Sequence, residues 1–245
     1  MIKYLKMIML GLLLAFVFDL GYTDPPLPTP VGRVVWVKGD AFKAVMENKE
    51  ERLLQKSSVI YLHDMLVTNE KTQAEIVFTD NTLITFRENS KFSIDEYSVK
   101  AKDKKGSVGK SVMNLIEGGF RTVTGLIAKN NSSDYSVNTP VATIGVRGTD
   151  YTVQLKGGEL FIGFKQGQPC VTPNKNNKQL CLDSKTPYAK VASATSAPEG
   201  MTQKPEALGD DLEVTPAKIA GFGSVGGSGG GKGSGGVVTS FCISQ

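Results

Sequence analysis

Few side chains in this chain have the type and spacing needed for catalysis or metal binding. A Ser-His-Asp or Cys-His arrangement would require His63, the only histidine among 245 residues. A single histidine also argues against the usual nitrogen and sulfur ligand sets of zinc. The acidic stretches FTDN and SIDEY, the second with Asp95-Glu96, lack the spacing of a calcium loop and are interpreted as turn and surface residues. We therefore predict a protein that is not an enzyme and holds no cofactor or metal.

The cysteines predict one disulfide bond. Cys170 and Cys181 flank the run VTPNKNNKQL, whose Pro-Asn and Asn-Asn pairs indicate a turn. Strands on both sides of this turn would bring the thiols together, and an oxidising compartment would let them pair. Such a bond would stabilise the fold by about 2–3 kcal/mol in the chain-entropy account. A metal site is the competing interpretation, although supporting histidines are missing. Cys242 is left over, either free or paired between chains.

Two arginines are candidates for an interaction or structural motif. Arg121 lies in GGFRTV, and Arg147 lies with Gly148 and Thr149 in the stretch TPVATIGVRGTDYTVQL. The apolar residues of that stretch lie at even positions before Arg147-Gly148-Thr149 and at odd positions after it. This change predicts a bulge or bend that passes the chain to another face or sheet. The structural interpretation of each arginine, with its stem on apolar surface and its guanidinium bonded to nearby carbonyls, is favoured over direct ligand contact.

The elements that must position these residues are predicted to be β-strands. The stretch AEIVFTDNTLITFRENSKFSID (74–95) has a set of apolar residues that all fall on even positions: Ala74, Ile76, Phe78, Ile84, Phe86, Phe92 and Ile94. A three-residue loop, Thr79-Asp80-Asn81, keeps that parity by pairing Ile76 with Ile84, and it gives Asn81 a left-handed position. The segment 109–127 is the best helix candidate, but Gly118-Gly119 interrupts it and a strand fits better. Short strands at this spacing predict an all-β sandwich, barrel or β-solenoid-like stack.

Composition divides the chain into four parts. A basic start and an apolar run of about a dozen residues predict a secretory signal peptide over 1–23, with an uncleaved anchor as the alternative. A proline-rich linker (24–31) precedes one β domain (32–192), and a low-complexity, glycine-rich tail (193–245) is expected to be disordered. Removal of the signal peptide lowers the formal net charge from +4 to +3, which is too little to indicate nucleic-acid binding.

The order of several motifs resembles a FecR domain. The motifs, which together cover 32–155, are GRVVWVKGDAF, LHDMLVTNEKTQAEIVFTDNTLITFRENSKFSIDEY, LIEGGFRTVTGLIAK and YSVNTPVATIGVRGTDYTV. Two positions depart from the pattern: Asp80-Asn81 replaces a common Asp-Gly, and His63-Asp64 replaces a more usual Gly-Asp.

The resemblance implies a domain on the trans side of a bacterial inner membrane. In iron-uptake regulators that carry it, the domain relays a signal from an outer-membrane receptor to a cytoplasmic segment that binds a sigma factor. We expect a stand-alone exported protein without that segment, and a role in iron uptake does not follow from the family. The expected function is a non-enzymatic binding or signal-relay module, with a structural module that binds surface polysaccharide or peptidoglycan as the alternative.

The expected location and partners follow from the same observations. We expect a periplasmic protein, with membrane-anchored and extracellular locations as alternatives. The partner would be another envelope protein or a wall polymer, not a nucleic acid, and membrane contact would require an uncleaved signal segment.

Overall fold

The computed structural model describes residues 28–46, 49–99 and 109–214, and the structural statements below concern these residues. The predicted signal peptide, residues 24–27 of the predicted linker and residues 215–245 of the predicted tail lie outside them. The described part of the chain is almost entirely β structure, as predicted.

The strands follow one another with short connections. In chain order they are β1 (Pro30–Lys38), β2 (Phe42–Val45), β3 (Glu51–Leu53), β4 (Val59–Tyr61), β5 (Met65–Thr68), β6 (Gln73–Phe78), β7 (Leu83–Phe86), β8 (Lys91–Val99), β9 (Gly109–Val123), β10 (Tyr135–Asn138), β11 (Ala142–Gly145), β12 (Asp150–Lys156), β13 (Glu159–Gln166), β14 (Cys170–Pro173), β15 (Leu180–Cys181), β16 (Tyr188–Val191) and β17 (Glu199–Met201). A short helix, α1 (Leu126–Asn130), follows β9, and 3-10 turns lie at Ser132–Asp134 and Glu206–Leu208.

These strands form two sheets. Sheet A has the order β4-β1-β6-β7-β9-β12-β13-β16-β17. Sheet B has the order β3-β2-β5-β8-β9-β10-β11-β14-β15. Among these pairs β9–β10 is parallel and the others are antiparallel.

Strand β9 belongs to both sheets and changes sheet at Gly118. Its residues up to 117 pair with β8 in sheet B, and residues 118–123 pair with β12 in sheet A. Gly118 has a φ of 79°, and a Cβ there would lie 2.5 Å from the Asn89 carbonyl oxygen. Glycine is therefore required both by the backbone conformation and by the close approach of a neighbouring chain. The prediction of a strand rather than a helix in 109–127 is confirmed as far as Val123, whereas its last two residues, Leu126 and Ile127, begin α1.

One hydrophobic core lies between the two sheets. The ring centroids of Phe42 and Phe86 are 6.2 Å apart, those of Phe86 and Phe92 are 5.2 Å apart, and those of Phe92 and Phe120 are 5.4 Å apart. These rings alternate between sheet B and sheet A, so the contacts join the two sheets across the core. The even-numbered apolar residues of 74–95 are buried, each at most 1% exposed. Two sheets that enclose one core form a β-sandwich, which is one of the predicted architectures.

The β6–β7 hairpin has the predicted loop. Ile76 pairs with Ile84 and Ala74 with Phe86, and the Phe78 N–H donates to the Thr82 carbonyl at 2.8 Å. Three residues therefore form the loop, and Asn81 takes the left-handed conformation with a φ of 71°. The predicted register is confirmed because it keeps one parity on the buried face.

The chain changes sheet between β11 and β12, where the parity break predicts a bend. β11 pairs with β10 and β14 in sheet B, whereas β12 pairs with β9 and β13 in sheet A. Gly148 in the connection has a φ of 59°, a conformation that favours glycine. The predicted transfer of the chain from one sheet to the other is confirmed.

The predicted disulfide joins Cys170 to Cys181, eleven residues apart. The two cysteines are directly opposite each other across the β14–β15 pair. The strand–turn–strand interpretation of this segment is therefore confirmed.

The packed domain extends beyond residue 192, the boundary expected from composition. β17 pairs with β16, and the side chains of Leu208 and Leu212 are only 1% and 4% exposed. Large apolar residues are scarce in residues 193–214, but this segment packs against sheet A and does not need a core of its own. At the other end, β1 begins at Pro30, inside the predicted linker.

Candidate interaction site

A row of residues crosses the outward face of sheet A, which is the face opposite the core. Cross-strand pairing places in the row one residue from each of the seven strands from β1 to β16 in the order of sheet A: Trp36, Glu75, Thr85, Arg121, Thr152, Gly163 and Tyr188. Glu75 and Thr85 are fully buried although they point away from the core. Another part of the chain therefore covers this face.

Arg121 at the centre of the row is held by Asp150. Its Nε and Nη2 donate to the two carboxylate oxygens at 2.9 and 2.8 Å, and the side chains are only 14% and 17% exposed. The hydrogen bonds to Asp150 raise the pKa of Arg121, and burial opposes that rise. This bidentate geometry fixes the plane of the guanidinium group. It leaves Nη1 of Arg121 free to donate to another acceptor.

That acceptor belongs to residues 204–214, the segment that covers the outward face of sheet A. We call this segment the strap. Arg121 Nη1 donates to the Leu212 carbonyl at 2.6 Å. Arg87 Nη2 donates to the carbonyls of Leu208 and Asp210 at 2.5 and 2.6 Å. Arg121 of β9 and Arg87, the residue after the end of β7, thus bind three main-chain carbonyls of the strap.

The strap also has apolar and charged anchors. The side chains of Leu208 and Leu212 are buried, and the Thr85 hydroxyl lies 3.1 Å from the Glu213 carbonyl. Asp211 forms ion pairs with Lys165 of β13 at 2.9 Å and with Lys204 at 2.6 Å. These hydrogen bonds to the two lysines lower the pKa of Asp211 to about 2.

Two hollows adjoin the strap. An open groove of about 600 Å³ has the charged side chains of Arg87, Glu88, Lys156 and Asp210 in its lining. A smaller hollow of about 100 Å³ includes Tyr188 in its lining. In the described ranges no three His, Cys, Asp or Glu side chains are grouped as metal ligands. The face therefore holds the strap by its main-chain carbonyls, its two leucines and the carboxylate of Asp211.

Asp80 lies in the loop of the β6–β7 hairpin, and its side chain is fully buried. Its Oδ1 accepts from the Tyr97 hydroxyl at 3.0 Å, and its Oδ2 accepts from the Thr82 hydroxyl at 3.0 Å and from the Ile127 N–H of α1 at 3.2 Å. The interpretation of FTDN as a turn is correct, but its carboxylate is not a surface group. The hairpin loop, β8 and the start of α1 close over it, so it joins three segments.

The predicted bend residues occupy separate environments. Arg147 is exposed and makes no hydrogen bond or ion pair within the described residues. Thr149 is buried: its N–H donates to the Thr124 hydroxyl at 2.7 Å, and its carbonyl accepts from the Thr124 N–H at 3.0 Å. Arg121 has its partners on the outward face of sheet A. The candidate residues therefore do not form one cluster.

Sequence reasoning missed Arg87, Asp150 as the partner of Arg121, and the strap. One signal for the strap was available: EALGDDLEV places Leu208 and Leu212 four apart in an otherwise polar stretch. For Asp150 no local signal existed, because its partner lies 29 residues away in sequence.

The sequence of residues 64–168 matches the family described as FecR protein. This chain contains a FecR domain. The matched range begins and ends later than the 32–155 span of the motifs. The FecR domain supplies Arg87, Arg121 and Asp150, whereas the strap lies C-terminal to the match. FecR proteins form a regulatory family of the cell envelope that interacts with other proteins in signalling.

A Treponema pallidum (strain Nichols) protein described as uncharacterized is also similar to this chain. The two are 26% identical over 179 residues, which are 69% of this chain and 25% of that relative. The aligned region is thus about a quarter of the relative's length. Within the described part of our chain, no helix is both long enough and apolar enough to cross a membrane.

The departure from the family pattern at His63-Asp64 has a structural explanation. His63 is exposed and has a φ of 69°, a conformation that favours glycine. Asp64 is buried and accepts from the Tyr61 N–H at 2.9 Å and from Arg52 Nη2 at 2.7 Å. Burial raises the pKa of Asp64, and these two donors oppose the rise. The pair therefore forms a turn.

Proposed function

We propose that this protein is an exported, non-catalytic module that relays a signal in the bacterial envelope by contact with another protein. The observation that carries the proposal is the outward face of sheet A, where Arg87 and Arg121 bind main-chain carbonyls. Main-chain carbonyls of a polypeptide segment are a feature of protein partners and not of sugars. The FecR domain supports the same class of function.

The proposed location is the periplasm. The apolar run near the N-terminus supports export. The Cys170–Cys181 disulfide also supports it, because structural disulfides persist in oxidising compartments.

Photo-crosslinking in intact cells tests the relay. A photoreactive residue at Ala207, which lines the groove, is expected to give a crosslink to one discrete envelope protein. The same residue placed at the exposed Glu51 of β3 serves as the control and should not give that product.

A pull-down on purified peptidoglycan tests the alternative, a polysaccharide-binding structural module. Retention by the wall together with no discrete protein crosslink at Ala207 would contradict the relay and support the structural role. Fractionation of the envelope and intact-mass measurement then test export and signal cleavage.

A further inference from the structure

We propose that the outward face of sheet A is a peptide-binding site that the strap occupies in cis, and that the partner presents an acidic segment of the same kind. The identity of the partner rests on the proposed function. The binding site is inferred independently from the contacts of the strap.

The face binds the main chain of a bent segment. The bound carbonyls belong to Leu208, Asp210 and Leu212 of the strap. Leu208 ends a 3-10 turn and Gly209 has a φ of 56°, so the chain bends between the two carbonyls that Arg87 Nη2 binds. Asp150 holds Arg121 in place from the other side, so the donor is oriented whether or not the strap is bound. Such contacts do not depend on side-chain identity, and a different segment could satisfy them.

Selectivity comes from two leucines and the charges between them. Leu208 and Leu212 are buried, whereas Asp210 and Asp211 between them lie close to Arg87 and Lys165. Burial lowers the pKa of Arg87, and the charges of Asp210 and Asp211 oppose that change. The matching partner segment would carry two aliphatic residues four apart with acidic residues between them.

The strap is attached in a way that allows exchange. It lies on the face of sheet A and forms no strand pairing with it among the described residues. Side-chain contacts hold it in place: two arginines, two leucines, the Lys165–Asp211 ion pair and the Thr85 hydroxyl. Segments with few buried contacts open at a lower free-energy cost than core strands. Covalent attachment gives the strap a high effective concentration, so a free competitor should bind weakly to the unmodified protein.

Fluorescence anisotropy with a labelled peptide of the strap sequence, KPEALGDDLEV, tests the proposal on the full chain. Replacing both anchors, Leu208→Ser with Leu212→Ser, should release the strap and raise peptide affinity at least about tenfold over the unmodified protein. Adding Arg87→Gln to that variant should lower the affinity again by about tenfold or more, because charged donors to carbonyls are lost. Glu206→Gln, an exposed change in the strap, is the matched control and should behave as the unmodified protein.

A folded double variant that binds the peptide no better than the unmodified protein would overturn the proposal, and the strap would then be only a cover for the sheet. If the double variant does not fold, Leu212→Ala alone removes one anchor. Its peptide affinity, compared with that of the unmodified protein, then decides whether the strap can be exchanged. Peptide binding without an envelope crosslink would support the peptide-binding site and contradict the proposed signal relay. A crosslink at Ala207 without peptide binding would support the signal relay and contradict the exchange of the strap for a partner segment.

Discussion

At the scale of single residues, Asp80 shows how one carboxylate organises a β domain. It accepts hydrogen bonds from the hairpin itself, from Tyr97 and from the start of α1, and water does not reach it. Burial, followed by the neighbouring charge of Asp80, raises the pKa of Tyr97, so its hydroxyl stays protonated and donates to Asp80. A buried carboxyl group is tolerated when its oxygens are hydrogen-bonded, and both oxygens of Asp80 are.

Replacing Asp80 should therefore destabilise the fold strongly. Asp80→Ala leaves buried donors unpaired at Thr82, Tyr97 and Ile127, and we expect a loss of about 3 kcal/mol in the free energy of unfolding. Urea denaturation measures it. Asp183→Ala is the matched control, because Asp183 also accepts two backbone N–H groups in a turn but is exposed. Equal losses for the two variants would contradict the role of burial.

The Arg121–Asp150 pair should be coupled more strongly than a surface ion pair. A double-mutant cycle with Arg121→Gln and Asp150→Asn is expected to give a coupling free energy of about 2 kcal/mol, because the bond is two-pronged and mostly buried. The Lys91–Glu117 pair, whose side chains are 48% and 57% exposed, should give less than about 1 kcal/mol. Comparable values for the two pairs would mean that solvent screens Arg121 as well.

At the scale of elements, the β14–β15 hairpin depends on its covalent link. Only two residue pairs join these strands, Cys170 with Cys181 and Val171 with Leu180. So short a pairing gains little from its own hydrogen bonds, and the disulfide keeps the end of sheet B closed.

Removing that link should lower stability without changing the fold. Cys170→Ser with Cys181→Ser is expected to cost about 2–3 kcal/mol, because the unfolded chain regains the freedom of the closed loop. Thermal unfolding measured by circular dichroism checks the change. The unmodified protein in reductant should lose a similar amount, and the serine variant should not respond to reductant.

At the scale of the whole molecule, the strap should respond to acid through Asp211. The folded-state pKa of Asp211 is about 2, below its ordinary value of 3.8. A depressed carboxyl pKa contributes stability that is present above the unfolded value and is lost as the pH falls through the folded value. Asp211 is 56% exposed, so solvent screens its ion pairs and the effect is confined to the strap.

Lowering the pH from about 5 to about 2 should therefore loosen the strap before the core unfolds. The methyl resonances of Leu208 and Leu212 should shift in that interval while those of core residues such as Ile84 stay in place. Asp211→Asn is the control and should remove most of the shift. An unchanged titration in that variant would assign the effect to other carboxyl groups.

The amino-acid sequence by itself determined the local features of this protein. The common parity of 74–95 specified the buried face and the three-residue loop, the parity break at Arg147-Gly148-Thr149 specified the change of sheet, and the spacing of Cys170 and Cys181 specified the disulfide. Each follows from the period-2 alternation of strands or from turn chemistry, which act between residues close in sequence.

Only the tertiary structure decided which distant segments meet. It paired Arg121 with Asp150, closed the Asp80 loop under α1, and laid Leu208 and Leu212 over sheet A. These contacts depend on which strands become neighbours and on what covers the outward face, and alternation along one strand contains no information about either. The strap's composition predicted disorder because its few leucines cannot form a core alone, but an existing sheet face supplies the apolar surface and the hydrogen-bond donors that they need.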